Sequence, residues 1–311
     1  MGKKVLVIGE LNVDIIVSGL SALPSLGKEI LAGGLQIVMG SSSAICAAGL
    51  ARLGSEVDFL GKVGADYYGD FATEQLSTLG VGVDGVIRDD AARTGVTISL
   101  TYPDDRALIT YPGCISELRL EDIETSVLLC YNHLHVGSYF LQRALQPGLP
   151  ELLVQARGAG LTTSLDTGHD PEEKWGDDAL RMLLDLVDIF LPNKEEARAI
   201  ARADATDAAL RELARHARLV AVKCGLSGAM TMHDGRMVHS PAFEVEVKDT
   251  TGAGDSFNAG FIYAHVIRGL SPEEALRFGN ACAALSATGF GGTAAQPTLE
   301  QVLAFLETQS R

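Results

Sequence analysis

Residues 249–260 read DTTGAGDSFNAG. Ahead of them, Phe243-Glu244-Val245-Glu246-Val247 alternates apolar and acidic, which predicts a strand. Behind them, Phe257, Phe261, Ala264 and Ile267 recur at helical spacing until Gly269-Leu270-Ser271-Pro272 ends the run. Gly252-Ala253-Gly254-Asp255 is therefore expected at a strand-to-loop-to-helix junction. Its backbone is nearly bare, so a ligand can approach it closely. The first amides of the helix point outward with the positive end of the helix dipole behind them, which suits an anion such as phosphate. Asp255 is the exception in such a site. Near a helix N-terminus its charged form is favoured, so it is expected to be ionised at neutral pH. A carboxylate beside a phosphoryl group can take the proton of an attacking hydroxyl. The same residues also fit an ordinary glycine-rich turn with an aspartate cap.

The rest of the chain limits the choices. Its 311 residues suffice for one large α/β domain, and a single domain over 1–311 is expected. The net charge of −15 argues against nucleic acid and against an anionic membrane surface as partners. The N-terminal MGKKVLVIGELNVD leads straight into a strand without a signal-peptide pattern, and no window approaches a membrane span. Five scattered cysteines, none in a CxxC pair, fit a reducing compartment, so the expected location is cytoplasmic.

Strand and helix signals alternate along most of the chain, which predicts a doubly wound, mainly parallel sheet with helices on both faces. Asn12 and Asp14 share one face of a strand over 11–17 and could bind hydroxyls, or simply face solvent. Residues 94–111 form two β-branched runs about Pro103-Asp104-Asp105, a hairpin pattern. Ser41, Ser42 and Ser43 are N-cap candidates for a helix ending at Gly54. His133 and His135 lie on one face of a strand over 133–140, as a metal pair or, more commonly, as satisfied core residues. Asp166 ends a strand, where ligands bind in open α/β sheets. Asn193 and Glu196 open a helix, either as a capping box or as oxygen donors around the waters of a Mg²⁺ ion. Residues 230–239 read as a hairpin about His233-Asp234-Gly235.

DTTGAGDSFNAGF (249–261) resembles the C-terminal signature of the ribokinase-like, PfkB-type carbohydrate kinases. GELNVD (9–14), GKVGADYYGD (61–70) and Asn193-x-x-Glu196 extend that resemblance over essentially the whole chain. The resemblance implies an ATP-dependent sugar kinase that uses Mg²⁺, with K⁺ as a candidate second cation. It makes Asp255 the base and Gly252, Ala253 and Gly254 the anion hole. Asn12, Asp14, Gly40, Ser41 and Asp166 become substrate contacts. Asn193, Lys223, Gly225, Gly228 and Asn280 become nucleotide contacts. Glu196 is assigned to Mg²⁺, and Asp249 and Thr251 to a monovalent cation. The resemblance also implies a β-sheet lid from about 12–39 and 94–112, which doubles as a homodimer interface. An apolar sheet face needs cover, so that arrangement is physically sensible.

Departures concern the acceptor. Ile45 stands where the family carries a sugar-binding asparagine, Ser41 replaces the second glycine of a pair, and Gly168 and Asp170 replace an asparagine and an arginine. A nucleoside acceptor stays open for this reason, and so does a non-catalytic sugar or nucleotide sensor on the same fold. The intact GAGD weighs against the sensor. There is no GxxxxGK[ST], and Gly9-Glu10-Leu11 cannot serve as GxGxxG, so Walker-type and dinucleotide-dependent enzymes are set aside.

Overall fold

The computed structural model of the protein describes residues 2–102, 106–176 and 178–309. The Pro103-Asp104-Asp105 turn lies outside the described residues. In chain order the strands are β1 (Lys4–Ile8), β2 (Asn12–Ser18), β3 (Gly34–Met39), β4 (Glu56–Gly64), β5 (Gly82–Asp89), β6 (Gly95–Thr101), β7 (Arg106–Tyr111), β8 (His133–Val136), β9 (Thr162–Leu165), β10 (Ile189–Phe190), β11 (Leu219–Lys223), β12 (Ala229–His233) and β13 (Arg236–Ser240). The helices are α1 (Ser42–Arg52), α2 (Tyr67–Thr78), α3 (Leu149–Gly158), α4 (Asp178–Leu184), α5 (Lys194–Ala201), α6 (Thr206–Leu213), α7 (Ala253–Ile262), α8 (Pro272–Ser286) and α9 (Leu299–Thr308).

Nine strands form one sheet in the order β13-β12-β11-β10-β9-β8-β1-β4-β5. It is parallel from β11 to β5, and the β12–β13 hairpin adds an antiparallel edge. The apolar run of β1 reflects burial on both faces. Val5 and Val7 pack with Leu50, Phe257 and Phe261 on one side, and Leu6 and Ile8 pack with Leu134, Leu152 and Leu210 on the other. Each such fully buried side chain stabilises the fold by roughly 1.5–3 kcal/mol. His133 and His135 belong to this core: their ring nitrogens meet Thr162 Oγ1 and Ser164 Oγ at 2.7–2.8 Å. Burial holds both imidazoles neutral, lowering the pKa to about 3 for His133 and about 4 for His135.

Four strands form a second sheet in the order β3-β2-β6-β7. β2 runs parallel to β6 with Asp14 opposite Thr97, and β3 and β7 pair antiparallel at the edges. Because β2 starts just beyond the end of β1, this sheet rises from the edge of the main sheet where the parallel strands terminate.

One expected strand is absent. Among the described residues, 243–247 pair with no other strand. Phe243, Val245 and Val247 nevertheless line one cleft while Glu244 and Glu246 are exposed. Alternation reports a two-sided environment, and an extended segment along a cleft has one without any ladder. The junction at Gly252 is therefore loop to helix. The strand expected over 133–140 also ends early, at Val136.

Candidate active site

The parallel strands deliver polar residues to one edge. Glu10 follows β1, Ser138 follows β8, Asp166 follows β9, Asn193 and Glu196 follow β10, and Lys223 ends β11. Open α/β sheets bind ligands at this edge. A larger hollow of about 670 Å³, among Lys3, Asp188 and Arg218, lies at the opposite strand ends. Size alone therefore does not choose the site.

α7 starts at this edge. Gly252 occupies its N-cap at φ +72°, with no side-chain cap. A Cβ there would collide with the backbone of Gly292 and press on Ile45 Cγ2, so both the conformation and the space require glycine. Ile45 is buried behind this turn, against Gly252 and Gly292. The Ala253 amide bonds back to the Thr250 carbonyl at 3.2 Å, which leaves this amide partly committed within the predicted anion-binding trio.

Asp255 lies in the first turn of α7 and keeps some contact with solvent. Its carboxyl nevertheless sits deep in the cleft. Burial, then the charges of Asp166 and Glu10, push its pKa up to about 8 against the opposing pull of Lys223 and Ser42. Desolvation and the neighbouring acids thus oppose the ionised form that the helix terminus alone would favour.

Behind Asp255 is a buried ion pair. Lys223 Nζ donates to Asp166 Oδ2 at 2.6 Å and to Asn258 Oδ1 at 3.2 Å. Asn258 Nδ2 donates to the same Asp166 oxygen at 2.6 Å, and the Gly168 amide donates to Asp166 Oδ1 at 2.8 Å. Burial alone would raise the Asp166 pKa, but the lysine and these hydrogen bonds hold it below the ordinary carboxylate value. Asp166 is thus grouped with Lys223 and apart from the Asn12–Asp14 pair. Sequence reasoning missed Asn258, although its position three residues after Asp255 puts both on one helix face.

Asn193 and Glu196 form the capping box of α5. The Glu196 amide donates to Asn193 Oδ1, and the Glu196 carboxylate accepts from the Asn193 amide and Nδ2, all at 2.7–2.8 Å. Glu196 is also buried facing Asp166, and burial followed by that charge raises its pKa to about 7. Two close carboxylates beside one lysine fit a hydrated divalent cation, which favours oxygen donors and keeps several waters. Among the described residues no group of three acidic, histidine or cysteine side chains could cage a metal directly.

Lys223, Gly225, Gly228 and Asn280, with Phe257 and Ala283, line a mostly apolar cleft of about 240 Å³ that reaches Gly254. Asn280 Nδ2 donates to the Ser240 and Pro241 carbonyls, so it holds the chain that walls this cleft.

Across the edge, on the second sheet, Asn12 Nδ2 donates to Asp14 Oδ1 at 3.1 Å. A Cβ on Gly40 would collide with Asp14 Oδ1 and Asn12 Nδ2, so this glycine opens the space over both. Burial raises the Asp14 pKa to about 6, against the pull of Asn12 and Arg106. Ser41 Oγ caps α1 at the Ala44 amide, 2.9 Å away, and donates to the Glu10 carbonyl. The buried Glu10 carboxyl accepts from Ser43 Oγ and from Ser138 Oγ, the latter at 2.8 Å, tying β1 to α1 and β8. Neither Glu10 nor these serine bonds were anticipated. Asp170, in the segment that departs from the family pattern, accepts from the amides of Glu172, Lys174 and Trp175 and shapes its own loop.

Asp249 is held by the loop around it. Its Oδ1 accepts from the Thr251 amide and hydroxyl, and its Oδ2 accepts from the Gly291 amide. Arg106, from β7, donates to Thr251 Oγ1 at 2.7 Å across the mouth of the cleft.

Comparison with known proteins agrees with this geometry. The chain is 32% identical to an uncharacterized sugar kinase of Archaeoglobus fulgidus over 80% of its own length and 98% of that protein. It is 32% identical to the ATP-dependent ribose-1-phosphate kinase of Halopiger xanaduensis over 97% and 98%. The structure of Arabidopsis thaliana ribokinase complexed with ribose and ATP superposes with a TM-score of 0.85 at 25% identity, covering 99% of each chain. The pfkB family carbohydrate kinase model matches residues 3–299, and the chain belongs to that family.

Proposed function

We propose that the protein transfers the γ-phosphoryl group of ATP to a hydroxyl of a small sugar. The observation that carries this reading is the position of Asp255, on a glycine-built helix start with the Lys223–Asp166 pair behind it. Asn12 and Asp14 hold acceptor hydroxyls in the space that Gly40 leaves open, and Ser41 fixes the start of α1 beside them. The apolar cleft walled by Gly225, Gly228 and the chain held by Asn280 takes the nucleotide base. Asn193 orients Glu196, and Glu196 with Asp166 would hold Mg²⁺. When bound, Mg²⁺ neutralises charge on the outer phosphates.

In the reaction the acceptor oxygen forms a bond to the γ-phosphorus while the bond to the β–γ bridging oxygen breaks. The hydroxyl proton passes to the Asp255 carboxylate, and ADP leaves with the bridging oxygen. The Gly252–Gly254 turn, the helix dipole and Lys223 stabilise the phosphoryl oxygens as charge shifts between them. This reading puts the monovalent-cation contact at Asp249 and Thr251, which the comparison with and without K⁺ tests.

The second sheet acts as a lid over the acceptor. It exposes Leu35, Ile37, Ile109 and Tyr111 on one face, which a second copy of the chain would cover. Light scattering tests this, and a strict monomer would refute the shared sheet. Among the described residues no helix is long and apolar enough to cross a membrane.

The deciding experiment measures ATP consumption with pentoses, hexoses, sugar acids, sugar phosphates and nucleosides, with Mg²⁺, with and without K⁺. Turnover with a sugar supports the reading and identifies the acceptor. Turnover confined to nucleosides would replace the acceptor class, and silence from folded protein that binds ATP would overturn the kinase assignment.

A further inference from the structure

Arg106 is an exposed side chain on an edge strand of the second sheet, yet it reaches across the cleft to a residue 145 positions away. Its partner, Thr251, directly precedes the Gly252 turn. The Thr251 hydroxyl accepts from the guanidinium and donates to Asp249 Oδ1, so its hydrogen-bond direction is settled. The charge of Arg106 is also felt by Asp14, on the acceptor side. The guanidinium thus stands between the two parts of the site that a phosphoryl group must cross. An exposed arginine–threonine bond adds little to stability, so the fold gains little from this reach.

The charge balance supplies a reason for it. Asp14, Asp166, Glu196 and Asp255 surround the transfer point, and Lys223, on the sheet side, is already paired with Asp166. A phosphoryl group in flight brings further negative charge into this acidic cleft. Arginine offers a planar fork of donors matched to phosphate oxygens. We propose that Arg106 is a catalytic residue carried by the lid: it exchanges Thr251 for an oxygen of the phosphoryl group in transfer, so that the anion site is complete only when the second sheet covers the acceptor. This inference rests on the kinase reading above.

The test uses Arg106→Gln and Arg106→Lys in the full-length protein. Steady-state rates are measured with the best sugar of the panel, and the affinity for MgADP is measured with and without aluminium fluoride, a mimic of the phosphoryl group in transfer. The expected result is a fall in kcat of about 100-fold or more for Arg106→Gln. The KM values for ATP and sugar stay within a few-fold, the tightening by aluminium fluoride is lost, and Arg106→Lys recovers part of both. Unchanged kcat with intact tightening would overturn the proposal. So would an effect confined to the KM of sugar acids or sugar phosphates, which would make Arg106 a reader of acceptor charge. Wild-type turnover separates the two levels. Its absence would refute the kinase reading, whereas its presence with an unaffected Arg106→Gln would refute only this inference.

Discussion

On the sheet side of the cleft each reactive group is fixed from behind by a strand end or a helix start. Lys223, Asp166 and Asn258 hold one another through bonds of 2.6–3.2 Å. On the lid side Asn12 and Asp14 project from a four-stranded sheet, and Arg106 is exposed on its edge strand. The first region is built to stay in place around charge that changes little from one acceptor to another. The second has to admit and cover a particular molecule. Substitutions on the two sides should therefore fail differently.

The largest effect is expected at Asp255. Asp255→Asn should lower kcat by about 100- to 10,000-fold, the usual worth of a positioned base, while ATP binding measured by calorimetry persists. Wild-type kcat/KM should rise with pH through about 8, since the base must first lose its proton. Stability should run the other way. A carboxyl whose folded pKa is raised contributes stability below its unfolded value and loses it as pH rises through about 8. Asp255→Asn should thus melt higher than wild type, by a margin that widens from pH 5 to pH 8. A flat margin would mean that Asp255 is not desolvated.

Next comes the ion pair. Removing one member of a buried pair leaves an uncompensated charge, at a cost of about 3–5 kcal/mol. Lys223→Met should lower the unfolding free energy measured in urea by that order. The double variant Lys223→Met/Asp166→Leu should recover part of the loss. If the double variant is worse than either single one, the pair stabilises the fold in its own right.

On the lid side, Gly40→Ala should act on the acceptor alone. Its methyl group would enter the space over Asp14 and Asn12. A displaced acceptor should lose about 100-fold in kcat/KM, with the KM for ATP unchanged. An equal loss for both substrates would blur the division between the two sides.

The two sides also differed in how far the sequence revealed them. Gly252 and Asp255 were legible because a glycine-built helix start and an adjacent carboxylate are local features. Asp166 was placed correctly at a strand end, but its partner was not. Whether it meets a sugar or Lys223 depends on a contact 57 residues away. Arg106 gave no local signal, since nothing in a β-hairpin shows what its tip will touch. The strand expected over 243–247 failed for a related reason: a pattern of period two fits any extended chain with one covered side.

Ser41 joins the local and the long-range kinds of information, and it should show the smallest effect. It adopts φ 81° and ψ 115°, a backbone suited to glycine, at a position where the resemblance predicts glycine. Such a conformation costs a non-glycine residue about 1–3 kcal/mol. The hydroxyl offsets part of that cost by capping α1 and bonding the Glu10 carbonyl, at about 1 kcal/mol each. Ser41→Gly loses both bonds but also the strain, so its stability in urea should lie within about 1 kcal/mol of wild type. Ser41→Ala keeps the strain and loses both bonds, and should fall by about 2 kcal/mol. If alanine proved no worse than glycine, backbone strain would not be what the hydroxyl offsets. A serine would then be tolerated there for its contact with Glu10 alone, on the wall that joins the acceptor side to Asp255.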